Sequence, residues 1–434
     1  MTWNTLGMPS RAQAETPSSH RRILVLMPDL LSVGGGQERD MIRVARWLIE
    51  AGHEVRVAQF NTRLRNEARL SELVLREQLP SIVRQVLPVL PWISELVPIP
   101  SPLGFGRFRS LIHWADLVIA CPYFVEDVVL ATACRVAGTP VIFSLNSSLA
   151  HAVEGSPKDA LQDVWNRTLG LQAIRTGIAL RAMGALDLDL LKQWGVKRGF
   201  VLYPGNFGSS PESFNSSGAE ADASFSAPPA GSSPLRVLLL GRLTFQKGVD
   251  VVDRIMERLV QDGRSQDYEF TFVGSSALPP ELRRWSRSSS INVRVLGILP
   301  APELYSQIRQ HDVLMMPSRY EGLGTAAVDS ISQGTPVIAS DIRGLREVII
   351  PGTTGWLAPS GDVEGFLGAL ASCREMKRSN VTGWAALQER CVDYWRTTFG
   401  PAVVALQFRH LSELILRVPP KHVRVPRIAL GREG

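Results

Sequence analysis

Apolar runs alternate along the chain with segments in which apolar residues recur at every third or fourth position. Residues 23–27 form the first run, which is continuous and therefore typical of a strand covered on both faces. Apolar residues from Met41 to Leu48 then recur at helical spacing, and Gly52 is placed to end that helix. Repetition of this strand–helix unit predicts an α/β fold with mainly parallel sheets.

Similar apolar runs predict the later strands, in two series separated by a segment of different composition. The predicted strands are residues 55–58, 117–120, 141–143, 178–180 and 201–203 in the first series, and 237–240, 270–273, 313–315 and 337–339 in the second. Between the series, residues 208–233 are dense in Ser, Ala, Gly and Pro and contain almost no large aliphatic residues. Such a composition cannot bury a core, so we expect a flexible linker or a surface insertion there.

The length of 434 residues favours two domains over one hydrophobic core. The predicted divisions are a disordered leader at 1–20, an α/β domain at 21–206, a linker or insertion at 207–235, a second α/β domain at 236–400, and a C-terminal helix with a basic tail at 401–434. Ligands of open parallel sheets bind beyond the carboxyl ends of the strands. Two such domains placed face to face would therefore enclose a cleft with one substrate on each side.

Composition narrows the class of protein. Hydrophobic residues make up 45% and charged residues 20%, which is ordinary for a soluble globular protein, and no apolar stretch reaches the ~18 residues of a membrane span. Four cysteines without CxxC or zinc spacing, and a leader without an apolar core, indicate a reduced, cytoplasmic protein. The formal charge of +6 suggests an anionic partner: a membrane face, a phosphorylated substrate or a nucleic acid.

Two segments of the second series carry the most specific signals. Residues 241–250 read GRLTFQKGVD, residues 317–324 read PSRYEGLG, and residues 334–341 read GTPVIASD. These segments, with GGQER near the N-terminus, resemble the signatures of glycosyltransferase family 4, the group 1 retaining transferases. The resemblance implies a GT-B fold, in which two Rossmann-like domains face each other across a cleft. It implies transfer of a hexose from a UDP- or GDP-linked donor to a polysaccharide, lipid-linked or small-molecule acceptor, with no cofactor and no nucleic-acid partner. No metal cluster or acidic pair of the DxD kind stands out in the sequence, so we also expect no metal ion.

Arg242 and Lys247 are the candidate cations of the donor site. A diphosphate leaving group gains negative charge as its glycosidic bond breaks, and two fixed cations beside it would stabilise that charge. Arg offers a planar fork and Lys a point charge, and both suit phosphate. The resemblance gives them this role, and the alternative is that both are ordinary surface cations.

Glu321 and Asp329 are the candidate carboxylates. The family pattern has two glutamates eight positions apart, and here the second is an aspartate. A helix should begin near Thr325 and end at Gly334, so that free N–H groups at its start suit an anionic or hydroxyl-rich ligand. The resemblance implies that Glu321 lies at the donor sugar and that Asp329 binds the ribose hydroxyls. The remaining donor-binding residues that it implies are Gly241, Gly297, Ile298, Gly322, Leu323, Gly324 and Thr325.

On the acceptor side, a glycine-rich loop follows the first strand. Gly35 and Gly36 would let backbone N–H groups approach a ligand, and Arg39 prevents a complete GxGxxG, which argues against a nicotinamide dehydrogenase. Many family members carry a histidine after the strand at 141–143. Here Asn146 takes that place, and His151 lies one turn further on. Asn146 could hydrogen-bond a sugar hydroxyl, and His151 is the candidate substitute for the histidine.

Two questions stay open at the level of the sequence. Residues 86–108 are apolar, interrupted by prolines and flanked by arginines, which fits either a membrane-touching element at the inner face or a partly buried insertion, and we favour the insertion. The departures at Asp329 and Asn146 leave room for a nucleotide-sugar-binding protein with weakened or no catalysis. A GT-B epimerase or phosphorylase is the other alternative.

Overall fold

The computed structural model describes residues 20–27, 36–61, 83–88, 102–121, 126–145, 164, 168–203, 233–274 and 279–421, and every structural statement below concerns these residues. The chain divides into two compact units. One comprises Leu145–Asn166 and Arg181–Gln407, and the other comprises Thr2–Ser144, Arg167–Leu180 and Phe408–Gly434. Among the described residues, no helix is both long and apolar enough to cross a membrane.

The first half of the chain forms a seven-stranded sheet in the order β3-β2-β1-β4-β5-β6-β7. Its strands are β1 (Arg22–Met27), β2 (Glu54–Asn61), β3 (Val83–Pro88), β4 (Leu117–Ala120), β5 (Val141–Leu145), β6 (Ala179–Ala182) and β7 (Gly199–Val201). The helices of this half are α1 (Gly36–Glu50), α2 (Pro102–Trp114), α3 (Glu126–Val136), α4 (Leu169–Ile174) and α5 (Ala185–Gln193). The pairs joining β3, β2, β1, β4 and β5 are parallel.

The second half forms a six-stranded parallel sheet in the order β10-β9-β8-β11-β12-β13. Its strands are β8 (Leu235–Gly241), β9 (Tyr268–Gly274), β10 (Asn292–Gly297), β11 (Val313–Met316), β12 (Val337–Ser340) and β13 (Gly355–Ala358). The helices are α6 (Val249–Gln261), α7 (Pro280–Arg283), α8 (Ala301–Gln310), α9 (Thr325–Ser332), α10 (Arg343–Arg346), α11 (Val363–Ser379), α12 (Val381–Thr398) and α13 (Pro401–Leu416). The strand order reverses between β8 and β11, which is the point where such sheets bind ligands.

The core of the second sheet explains why its inner strands are continuous apolar runs. Val237 and Leu239 of β8 face one layer, which includes Ile255 of α6. Leu238 between them faces the opposite layer, which includes Ile331 of α9. Because helices cover both faces, positions 237–239 in the middle of the strand are all buried and apolar.

The α/β class and the mainly parallel sheets are confirmed, and the predicted strands in the interior of each sheet lie within a few residues of the observed ones. Three strands, β3, β10 and β13, are missing from the predicted series, and β7 lies two residues earlier than predicted. All four are edge strands. An edge strand is covered less completely, so polar residues can enter its apolar run, as they do in β3 and β10, and β3 also ends in a proline.

Tyr203 shows why the prediction for β7 was wrong. It was predicted to end the strand, yet its backbone N–H donates to Gln407 Oε1 at 2.8 Å and its hydroxyl donates to Glu347 Oε1 at 2.6 Å. Both groups therefore bind side chains instead of a neighbouring strand. Burial, together with this bond to Glu347, raises the pKa of Tyr203.

Several predicted features lie outside the described residues: the leader, most of the insertion between the two series, and the end of the basic tail. The stretch at 86–108 is described only at its ends, which form part of β3 and the first half of α2. Phe108 of α2 is fully buried and Phe105 is half exposed, so this end of the stretch is a helix packed into the fold.

Candidate active site

The candidate donor-side residues follow the carboxyl ends of β8, β10 and β11. Gly241 ends β8 with φ +114°, a conformation that favours glycine. A Cβ built on Gly241 would lie 4.0 Å from Lys247 Cε. The side chain of Lys247 therefore passes over the end of β8, at the strand next to the reversal of strand order.

Lys247 is held at the end of a short 3₁₀ turn, Phe245–Lys247. Gly248 follows with φ +74° and starts α6. A Cβ on Gly248 would lie only 2.0 Å from the carbonyl oxygen of Pro317, so no other residue fits without movement of the backbone. The turn after β8 is therefore packed directly against the loop after β11.

Lys247 and Glu321 form an ion pair across these two loops. Lys247 Nζ lies 2.5 Å from Glu321 Oε1, and Ser318 Oγ donates to the same oxygen at 2.7 Å. The two charged side chains are 22% and 9% exposed. Both bonds use Oε1, and among the described residues Glu321 Oε2 has no hydrogen-bond partner. The ammonium has three donors and uses one on Glu321.

Arg242 differs from Lys247 in its surroundings. Its side chain is exposed, and within the described part of the chain it makes no hydrogen bond or ion pair. The structure thus pairs Lys247 with a carboxylate and leaves the guanidinium of Arg242 open to solvent.

The N-terminus of α9 lies next to this ion pair in the same loop. Gly324 precedes the helix with φ +72° and, as a glycine, has no side chain to cap the first turn. A Cβ on Gly324 would lie 2.4 Å from Leu345 Cδ2, and Leu323 is fully buried. The first N–H groups of α9, beginning at Thr325, are consequently held in place, and no side chain of the described residues accepts from them.

The backbone between the carboxylate and the helix is held equally tightly. A Cβ on Gly344 would lie 2.2 Å from the carbonyl oxygen of Glu321 and 2.5 Å from that of Gly322. This contact with α10 leaves the loop little room to shift.

Asp329 and the residues after β10 complete the described donor side. Asp329 lies on α9, partly exposed, and receives a long hydrogen bond of 3.4 Å from the hydroxyl of Tyr305. Gly297 ends β10 with φ +68°, and Ile298 beside it is 55% exposed. An exposed aliphatic side chain here offers an apolar surface to a ligand.

The acceptor-side candidates are mostly outside the described residues. Gly35, Asn146 and His151 lie there, and Gly36 is the first residue of α1.

In the donor-side loops, no role was predicted for Ser318 or Arg319, although both belong to the PSRYEGLG segment. Ser318 was missed because a buried serine in a motif carries no signal of what it bonds.

Comparison with known proteins identifies the region that holds these loops. Residues 234–375 match the family model for glycosyl transferases group 1. This group 1 region includes every donor-side residue discussed above.

Two relatives illustrate the sequence similarity. The amylovoran biosynthesis glycosyltransferase AmsK of Erwinia amylovora is 30% identical over 145 residues, which cover 32% of this chain and 35% of AmsK. The lipopolysaccharide core biosynthesis mannosyltransferase LpcC of Rhizobium leguminosarum is 25% identical over 306 residues, 59% of this chain and 86% of LpcC. The chain spans about a third of the length of the first curated relatives that it matches.

Solved structures share the fold over nearly the whole chain. Anabaena HepE in complex with UDP and glucose has a TM-score of 0.67 at 18% identity, covering 91% of this chain and 99% of HepE. The sucrose-phosphate synthase of Thermosynechococcus elongatus has a TM-score of 0.65 at 16% identity, covering 92% of this chain and all of the synthase chain. The fold is the GT-B type, as the resemblance of the motifs implied.

Proposed function

We propose that this protein is a retaining glycosyltransferase that moves a hexose from a UDP- or GDP-linked donor to a carbohydrate, lipid-linked or small-molecule acceptor. The observation that carries the proposal is the Lys247–Glu321 ion pair, which lies at the reversal of strand order within the group 1 region. The UDP and glucose bound to HepE support a nucleotide sugar as the donor class.

In this proposal the donor diphosphate lies against Lys247, Arg242 and the start of α9. Lys247 keeps its bond to Glu321 and turns its two remaining donors to phosphate oxygens, while the exposed guanidinium of Arg242 binds the same group. The first N–H groups of α9 add donors that need no rearrangement. Fixed positive charge of this kind stabilises the charge that develops as the diphosphate leaves.

Glu321 serves the sugar in this scheme. Its Oε2 accepts no hydrogen bond from the described residues, so we assign it to a hydroxyl of the donor sugar. Asp329 accepts from the ribose hydroxyls, and Ile298 with Gly297 lies beside the base. Retention follows if the acceptor oxygen bonds to the anomeric carbon on the face from which the phosphate oxygen departs. The acceptor proton then goes to that departing oxygen, and no protein base is required.

The proposal is tested by a screen for nucleotide release. Purified protein is incubated with a panel of UDP- and GDP-sugars, and free nucleotide is measured for the wild type, Lys247→Ala and Lys192→Ala. Lys192 is a matched control because it also pairs with a carboxylate, Asp189, but on the exposed surface of α5. We expect release by the wild type and Lys192→Ala, and strongly reduced release by Lys247→Ala.

The same screen separates the alternatives. Release that requires added inorganic phosphate would indicate a phosphorylase, and conversion of the donor without nucleotide release would indicate an epimerase. Saturable nucleotide binding in a calorimeter, without any turnover, would favour a binding protein over a transferase.

Peripheral membrane contact is a second proposal, and it concerns α2. Phe105 of this helix is 48% exposed, Arg109 is exposed one turn further along the same face, and Arg107 is also exposed. An apolar side chain flanked by cations is typical of a surface that touches anionic lipid.

A further inference from the structure

Arg319 joins the two loops that carry Lys247 and Glu321, although it contacts neither of those side chains. It lies after β11, two residues before Glu321. Its NH1 and NH2 groups donate to the two carboxylate oxygens of Asp250, both at 2.8 Å. This is the two-pronged geometry that makes Arg–carboxylate pairs strong and directional. The pair is partly buried, with side chains 17% and 32% exposed.

The same guanidinium also holds the start of the turn after β8. NH1 donates to the carbonyl oxygen of Phe245 at 2.7 Å, and the guanidinium carbon lies 3.6 Å from the centre of the Phe245 ring. Phe245 begins the turn that Lys247 ends, and Asp250 lies in the first turn of α6. Arg319 thus binds a backbone carbonyl group before Lys247 and a side-chain carboxylate after it.

Two hydrogen bonds to backbone carbonyl groups also join these two loops. The Arg319 N–H donates to the carbonyl oxygen of Gln246 at 2.8 Å, and Gln246 Nε2 donates to that of Tyr320 at 3.2 Å. These neutral bonds, with the close packing of Gly248, orient the loops roughly. Apart from the Lys247–Glu321 ion pair itself, the charged, directional contacts between these described loops come from Arg319.

The lowered pKa of Asp250 favours the ionised form that Arg319 binds. Burial would raise the pKa of Asp250, but the hydrogen bonds and charge of Arg319 outweigh burial, and the pKa lies below its ordinary value of 3.8. Asp250 therefore stays ionised, and the pair persists at any pH at which the enzyme is expected to work.

From these contacts we propose that Arg319 is a positioning residue, which fixes where Lys247 stands relative to Glu321 and hence to the donor diphosphate. The inference rests on the proposed transferase function, because the position of Lys247 matters for the rate only if Lys247 stabilises the charge on the donor diphosphate. A displacement of a reacting group by about 1 Å can cost on the order of 100-fold in rate.

Arg254 provides a control for charge and stability. It also pairs with Asp250, at 3.1 Å from Oδ2, but its side chain is 52% exposed and its partner among the described residues is Asp250 alone. Replacing Arg254 removes one cation from Asp250 without touching the turn or the loop. If the loss of one positive charge lowered the rate, replacement of either arginine would lower it. If the loss of positioning lowered the rate, only replacement of Arg319 would do so.

The test compares Arg319→Met, Arg319→Lys and Arg254→Met by steady-state kinetics with a donor identified in the screen. For Arg319→Met we expect kcat to fall at least ~10-fold with KM changed less than about threefold, since the lost geometry matters most in the transition state. Arg319→Lys should recover part of that loss, because it keeps the charge without the fork. Arg254→Met should match the wild type. Full activity of Arg319→Met, or an equal loss in Arg254→Met, would overturn the inference.

A double variant distinguishes action through Lys247 from an independent effect. If Arg319 acts through Lys247, Arg319→Met should lower kcat by less than about twofold in a Lys247→Ala background, since residues that act as a unit are not additive. Multiplication of the two single losses in the double variant would contradict the assignment.

Amide hydrogen exchange tests the positioning without any activity. The amides of Lys247 and Arg319 bond to the carbonyl oxygens of Thr244 and Gln246. In Arg319→Met both should exchange at least ~10-fold faster, while amides of α11 are unchanged. If the wild type releases no nucleotide from any donor, the proposed function fails and this exchange measurement still decides the positioning. Unchanged exchange overturns the inference whatever the activity. Should Arg319→Met not fold, Asp250→Asn removes the same pair from the other side.

Discussion

Lys247 Nζ and Glu321 Oε1 lie 2.5 Å apart although 74 positions separate the two residues in the chain. The bond joins the loop after β8 to the loop after β11, which are neighbouring strands at the reversal of strand order. Within the described part of the chain, it leaves the ammonium with spare donors and the carboxylate with a spare oxygen. A cation and an acceptor thus lie side by side, as the proposed transfer of a sugar from a diphosphate would use them.

The cations of the donor loops yield the first prediction. Lys247→Ala and Arg242→Ala should each lower turnover by at least ~100-fold, because each removes a fixed charge from the leaving diphosphate. The measurement is kcat for nucleotide release, with Lys192→Ala as the control. A near-normal rate in either variant would remove that residue from the diphosphate site.

The second prediction concerns Asp329, whose side chain is one methylene shorter than the glutamate of the family pattern. Asp329→Glu should be tolerated or should tighten nucleotide binding, because the longer side chain restores the reach of the family pattern toward the ribose. The hydrogen bond from the Tyr305 hydroxyl to Asp329 is long, at 3.4 Å, so its loss on lengthening the side chain costs little. Calorimetric titration with UDP and GDP measures the effect. A severe loss of affinity would mean that the site is built around the aspartate.

The absence of a donor metal is the third prediction. Among the described residues, no group of three or more His, Cys, Asp or Glu side chains is arranged to hold a metal ion. In the proposed mechanism Arg242 and Lys247 supply the positive charge instead. Activity should therefore survive excess EDTA, and complete loss that is restored by a divalent cation would refute the metal-free scheme.

The fourth prediction concerns acid stability and His53. His53 is 8% exposed and its Nδ1 accepts from the Arg21 N–H at 3.3 Å. Burial, with further contributions from the charges of His20 and Arg21, lowers the pKa of His53 from 6.5 to about 4. The unfolded chain therefore takes up this proton first as the pH falls.

The stability that neutral His53 contributes is present above pH 6.5 and is lost progressively as the pH falls to about 4. The total loss should be about 3 kcal/mol. Urea denaturation across this range measures it. His53→Gln should remove this part of the decline, whereas His113→Gln, an exposed histidine on α2, should leave it in place. An unchanged decline in His53→Gln would contradict the assignment.

The fifth prediction tests the surface of α2. Flotation with vesicles containing anionic lipid should be weakened by Arg107→Glu with Arg109→Glu, since each cation near such a surface contributes about 1 kcal/mol. Arg135→Glu on α3 is the control, because it is equally exposed. Failure of the wild type to float, or equal flotation of all variants, would leave α2 as a helix of the fold with no membrane role.

Much of the architecture could be predicted from local patterns. The helix expected from near Thr325 to Gly334 is α9, which runs from Thr325 to Ser332 and is followed by Gly334 at φ +77°. Apolar spacing and a glycine that accepts positive φ act within a few residues, so they can be read from the chain. Edge strands such as β3 and β10 escaped prediction because partial cover allows polar residues into their pattern.

The amino-acid order therefore specified which residues form strands and helices, where the glycines permit sharp turns, and which loops carry charges suited to a diphosphate. Those properties depend on near neighbours in the chain. Other contacts depend on which strands lie side by side. They are the ion pair of Lys247 with Glu321, the bonds of Arg319 to the turn at Phe245, and the hydrogen bond of Tyr203 to Glu347. That order results from packing apolar faces over the whole domain, which no local segment encodes.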